Sequence, residues 1–120
     1  MTISSYLENK LLDTLSATAY SASAAYLKLH LGDPGENATG SPAVDTRRKA
    51  VSFSAASGGS KASSGTVEWT NVAATEVYTH WSLWDAETSG NALWYGALSA
   101  AASVTAGDTF EITSLTLTLE

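Results

Sequence analysis

A chain of 120 residues without cysteine can bury one core unaided and is too short for two ordinary domains, and it holds no disulfide framework, thiolate zinc site or cysteine nucleophile. Its formal charge of −6 offers no electrostatic lure to nucleic acid or to an anionic membrane surface, and no apolar run approaches the length that spans a bilayer. Charged residues make up only 15 % of the chain, which predicts a subunit whose surface is largely occupied by partners.

Residues 3–15 read as an amphipathic helix. Ser5 followed by Glu8 forms a capping-box pattern, and Ile3, Leu7, Leu11, Leu12 and Leu15 recur at helical spacing. So short a stripe needs the sheet or a partner to hold it. Residues 16–24 form a linker of small side chains. Strict alternation then predicts a strand over 25–31, with Leu27, Leu29 and Leu31 on one face and Tyr26, Lys28 and His30 on the other. Gly32-Asp33-Pro34-Gly35 ends it in turn chemistry. The loop runs on to residue 46, long enough to serve as a flexible, partner-binding arm. Arg47, Arg48 and Lys49 hold half of the six basic charges, either to guard a sheet edge or to anchor carboxylates of a partner. A strand with Val51, Phe53 and Ala55 inward follows. Residues 56–65 have the composition of a second flexible linker, and Val67 and Trp69 mark a further strand.

The richest stretch is the central hairpin, residues 77–98, with three of the four tryptophans and two of the five tyrosines. Val77, Thr79, Trp81 and Leu83 would share one face and Tyr78, His80, Ser82 and Trp84 the other. Since both faces are partly apolar, the second should pack on another layer. Phe110 and Ile112 alternate on even positions while Leu115, Leu117 and Leu119 alternate on odd ones, so a bulge or tight bend is expected at 113–114. The fold class that follows is mainly β: one domain over 1–120, an antiparallel β-sandwich or small barrel of six to seven strands with one N-terminal amphipathic helix.

Catalytic chemistry is hard to find. His30 and His80 each stand on a strand without a partner at ligand spacing. No Gly-x-Ser-x-Gly elbow occurs, and Asp33, Glu36 and Asp45 lack the pattern of a dedicated calcium loop. No catalytic residue, metal site or cofactor is therefore expected. The tryptophans and tyrosines would suit a carbohydrate-stacking platform, but at alternating strand positions they are more often core.

Several stretches, in order, resemble a family of small tailed-bacteriophage virion proteins. They are Ser5-Tyr6-Leu7-Glu8-Asn9-Lys10-Leu11-Leu12-Asp13, Tyr26-Leu27-Lys28-Leu29-His30 with Gly32-Asp33-Pro34-Gly35-Glu36, Arg48-Lys49-Ala50-Val51-Ser52-Phe53, Ser57-Gly58-Gly59, the Thr79-His80 strand ending in Asp85-Ala86, Gly90-Asn91-Ala92-Leu93-Trp94-Tyr95-Gly96-Ala97-Leu98 and Ala106-Gly107-Asp108-Thr109. The resemblance implies a non-enzymatic virion part, made in the host cytoplasm and carried in the particle. The first expectation is a capsid cement or decoration subunit on the capsid surface, a homo-oligomer such as a trimer bound to the major capsid protein. The alternative is a tail or tail-fibre component that binds tail proteins and touches the host surface. A carbohydrate-binding module ranks behind both. Expected contacts with the shell are Ile3, Leu7, Leu11, Asp33, Pro34, Glu36, Arg47, Arg48 and Lys49. Tyr78, Trp84 and Trp94 are expected between subunits.

Overall fold

The structure, a computed structural model, describes residues 2–16 and 24–118. The linker expected over 16–24 therefore lies, apart from its two end residues, outside the described residues, as does Leu119. In chain order the elements are β1 (Thr2–Ile3), α1 (Ser5–Asp13) with a 3-10 turn at Thr14–Ser16, β2 (Tyr26–His30), β3 (Lys49–Ala50), β4 (Ser52–Phe53) and β5 (Ser60–Ser64). Then follow β6 (Val67–Trp69), β7 (Glu76–Trp84), β8 (Ala92–Val104), β9 (Phe110–Ile112) and β10 (Thr116–Thr118). The fold is mainly β with one N-terminal helix, as the pattern predicts, but its strands are shorter and more numerous than six or seven. They form antiparallel sheets in the orders β1-β8-β7-β2-β3, β10-β5-β4 and β6-β9.

The chain start departs from the expected helix. Thr2 and Ile3 pair with Tyr95 and Trp94 of β8, so Ile3 is a strand residue and the helix begins two residues later. Ser4, in extended backbone (φ −74°, ψ 155°), is the N-cap: its Oγ accepts from Leu7 N, one of the donors a helix start leaves unpaired. The same Oγ donates to Ala92 O at 2.6 Å, and Ser4 N donates to Leu93 O at 2.9 Å. The cap is thus Ser4 and not the predicted Ser5, and with Leu7 three residues on, the capping box read from Ser5 and Glu8 does not form. Along the leucine stripe Leu7 is buried and Leu11 packs on the core, whereas Leu12 and Leu15 are 63 % and 85 % exposed. Changing Ser4 to Ala should cost about 1 kcal/mol for the cap and rather more with the link to β8, read as a lower urea midpoint with an unchanged slope.

β7 and β8 make the central hairpin, and β2 pairs with the other side of β7 from Tyr26↔Trp84 to His30↔His80. Leu27 and Leu29 are fully buried here, while Leu31, beyond the strand end, is 40 % exposed and not inward as expected. The predicted two-faced division of β7 is only partly kept. Tyr78 joins Trp81, Leu83 and Trp94 in the main core, and Trp84 leaves it for a satellite cluster with Ala38 and Ala92. The ladder explains this. Between Tyr78 and His80 the partner jumps from Ala102 to Ala97, so β8 carries surplus residues and the two halves of β7 do not share one register. A second irregularity leaves Leu93 outside the ladder, and its carbonyl is the one that receives Ser4 N.

Residues 56–65, expected to be a linker, hold β5, the middle strand of the three-stranded sheet. Ser57 and Ser60 exchange both backbone hydrogen bonds across Gly58 and Gly59, whose φ values of 58° and 80° belong to a two-residue hairpin turn that side chains rarely tolerate. The phase change between Ile112 and Leu115 is a passage between sheets: β9 pairs with β6, β10 with β5. Trp69, Val67, Ile112 and Leu117 close the core from these smaller sheets, with Phe110 against both Trp69 (5.9 Å) and Tyr78 (5.2 Å, edge-on).

Candidate functional site

Three segments converge beside the satellite cluster: the first turn of α1, the loop 32–46 and the connection 85–91 between β7 and β8. The loop is tightly folded on itself. Asp33 Oδ1 accepts from Gly35 N, Ala38 N donates to Gly35 O, and Gly40 N donates to Pro34 O at 2.8 Å. A Cβ on Gly40 would stand 2.9 Å from Pro34 O and 3.0 Å from Asp33 O, so only glycine lets the two limbs of the loop approach. Leu31 N to Ser41 O and Ala43 N to Leu29 O return the chain to β2. Ala38, fully buried against Trp84 and Ala92, makes this loop the second layer that the hairpin's other face was expected to need.

His30 holds the loop from below. It is fully buried, with Nδ1 2.8 Å from Gly40 O and Nε2 2.7 Å from Ser82 Oγ. A carbonyl only accepts, so Nδ1 carries the proton and Nε2 is the acceptor. Ser82 Oγ therefore donates to His30, and it accepts from Trp84 Nε1 at 2.7 Å. Each of these polar groups is satisfied with the imidazole neutral, and burial holds His30 below the ordinary histidine range. The Ser–His pair resembles a nucleophile and its base, yet Ser82 is fully buried and its oxygen already accepts a hydrogen bond, so a substrate has no approach to it. Its role is to fasten the loop to the sheet. Because the folded protein disfavours protonation, stability should fall as pH drops below 6.5, the ordinary histidine value, towards the lowered folded value, and be flat above it. Urea midpoints across pH, flattened in that window by His30→Asn, measure this.

The expected contact residues fall into distinct settings. Glu36 Oε1 accepts from both Ser5 N and Ser5 Oγ at 2.7 Å, which puts a carboxylate on the positive end of α1. Asp33 is exposed and Pro34 buried within the loop. Arg47 meets the buried Asp45 through Nε at 2.9 Å and a terminal nitrogen at 2.6 Å, and that guanidinium holds the Asp45 carboxyl below its usual range. Arg47 also donates to Thr70 O, and its carbonyl receives Trp69 Nε1. Arg48 donates to Ala86 O and Ser89 O and lies 3.9 Å over the Trp84 ring. Both arginines are thus committed within the chain. Lys49, in β3, stands opposite Leu27. Tyr78 and Trp94 are core residues, 0 % and 6 % exposed, and Trp84 is 8 % exposed. Burial, aided by the carboxylates of Glu76 and Asp45, pushes the Tyr78 phenol up to about 12.

Together the three segments wall a cleft of about 300 Å³, lined in part by Tyr6, Glu36, Asn37, Thr39, Trp84 and Asn91. Asp85 fixes Asn91, accepting its backbone N at 2.7 Å and its side-chain Nδ2 at 3.1 Å. Asn37, Thr39 and Asn91 carry no periodicity that would single them out in the sequence. The cleft offers amides, hydroxyls, one carboxylate and an indole, a set suited to binding. Among the described residues no group of three or more His, Cys, Asp or Glu is placed to hold a metal ion, and no helix is long and apolar enough to cross a membrane.

No curated protein matches the chain. A family model described as "Podophage GP4 fiber I protein gp80" matches residues 2–120. The resemblance to tailed-phage virion proteins is thereby borne out, and the family's description names a fibre, in line with the tail-fibre alternative rather than with capsid cement. With all but the first residue matched, this chain belongs to the family of podophage GP4 fiber I proteins, a family of phage structural proteins.

Proposed function

We propose that the chain is a non-enzymatic subunit of a tail fibre, joined to tail proteins and to further copies of itself, and that the capsid surface is not its place. The observation that carries this reading is the match to a fibre family over residues 2–120. Two features support it. The Ser82–His30 pair is enclosed and internally satisfied. The N-terminal strand, the helix cap and the long loop are bound into one body by Ser4, Glu36 and His30, as a part that bears load requires. Subunits in a fibre gain from multivalency, since weak contacts repeated along it sum.

The test is quantitative mass spectrometry on separated heads and tails of the purified particle, with antibody labelling in the electron microscope. A few copies per particle, in the tail fraction, are expected. Stoichiometry comparable with the major capsid protein, in the head fraction, would overturn the fibre reading in favour of capsid cement.

A further inference from the structure

We infer that the chain pairs with a second copy of itself through the flank of α1, each copy setting Leu12 and Leu15 into the apolar groove beside the other's helix; the inference rests on and deepens the fibre reading, which calls for contacts between copies. The groove, of about 310 Å³, opens between α1 and the β10-β5-β4 sheet and is walled by Leu7, Leu11, Phe53, Trp94 and Leu117. Among the described residues its lining holds one charged side chain, Lys61, and no carboxylate. Leu12 and Leu15 stand on the same helix and on the 3-10 turn that continues it, 63 % and 85 % exposed. Three residues apart, they are neighbours on the helix surface. Apolar walls with two bare leucines beside them make one patch, the mark of a contact surface and not of scattered exposure.

Charge and symmetry together select a second copy as the occupant. Glu8, exposed one turn before Leu12, and Asp13, exposed beside it, give the projecting leucines an acidic border. The helix's own Lys10 is taken up by the Tyr6 ring, 5.6 Å from its centroid. Lys61 borders the groove, its Nζ donating to Ser54 O at 2.8 Å. The leucines of one copy thus arrive with charge opposite to that of the groove they enter. This matters for a chain of net charge −6, whose copies repel one another across most other contacts. Projection and groove lie on one surface, so a two-fold axis lets each copy give its leucines and receive its partner's, the isologous arrangement of a homodimer. The surface is short, nine helical residues and a turn of three, which places the contact in the weak, transient class and gives it force in an assembly that presents many copies.

The experiment is sedimentation velocity on the purified full chain over a wide concentration range. Wild type should pass reversibly from monomer to dimer. Leu15→Asp, at an exposed site, and Lys61→Glu, at the groove, should each weaken dimerisation by about tenfold or more, with unaltered far-ultraviolet circular dichroism. Val44→Ser, at a position 63 % exposed on the loop 32–46, should leave it unchanged, and Glu8→Lys added to Lys61→Glu should restore part of the loss. Because the chain has no cysteine, the contact can also be read directly. Leu15→Cys protein mixed with Ser60→Cys protein should be joined by a short bismaleimide into a mixed dimer identified by its mass, and Leu15→Cys mixed with Val44→Cys should not. A chain that stays monomeric at every concentration, as when another segment or a different tail protein covers the groove, overturns the inference. So does a dimer indifferent to Leu15→Asp and Lys61→Glu, or one that never gives the mixed cross-link. A monomer located in tails sinks this contact and leaves the fibre reading standing; a dimer through this surface, with the protein located in heads, sinks the fibre reading alone.

Discussion

Trp69→Ala is expected to lower the unfolding free energy by about 3–5 kcal/mol, the range for emptying a large aromatic site in a packed core. Trp69 is fully buried, tilts against Phe110 at 5.9 Å and donates its indole N–H to Arg47 O at 2.9 Å. Its loss removes apolar burial and leaves that carbonyl without its indole donor. The carbonyl belongs to the residue that pairs with buried Asp45, so damage should spread from β6 to the end of the loop 32–46. Chemical denaturation of the variant, with hydrogen exchange at Val44 and Ala73, measures both. A loss below about 1 kcal/mol would mean that the three sheets do not share one core.

The second large effect is Ser82→Ala. The change deletes one oxygen and creates almost no cavity, yet it strands two buried groups at once: His30 Nε2 loses its donor and Trp84 Nε1 its acceptor. At about 1–3 kcal/mol for each unsatisfied group, the loss should reach about 2–6 kcal/mol, far beyond an ordinary serine truncation. Trp84 forms part of the cleft and His30 anchors Gly40, so local exchange should rise in the loop before global unfolding. Ser82→Cys, with a weaker acceptor of similar shape, should fall between wild type and Ala. If Ser82→Ala costs no more than a surface serine, the network is not holding the loop and the cleft is not preorganised.

The same pair of residues shows where sequence reading stops. His30 and Ser82 are 52 positions apart, each on a strand and each without a neighbour that hints at chemistry. Only the β2–β7 register, with Lys28 opposite Ser82 and His30 opposite His80, brings them within reach. Tyr78, Trp84 and Trp94 present a milder case. Aromatic residues on both faces of a strand predict that both faces are covered, which is so, but what covers them is long-range. For Trp84 it is Arg48 and the loop, and for Tyr78 it is Phe110.

Apolar alternation over 25–31 and 115–118 and the aromatic runs of the hairpin were enough to place a mainly β fold, its central hairpin and an N-terminal helix, because periods of two and of 3.6 report directly on which side chains must leave water. The resemblance carried by the ordered motifs located the chain among virion proteins for a related reason, since motif order is a property of the sequence itself. The tertiary structure alone decided the rest. β5 has too few apolar residues to leave a trace, and it exists because its backbone finds partners in β4 and β10. Ser4 and not Ser5 is the cap, and Ser5 is bound instead to Glu36, 31 residues away in the loop. The stretch that composition describes as a flexible arm is fastened by His30, Gly40 and Glu36, contacts whose energy depends on distance and burial, and neither quantity is written in a linear chain.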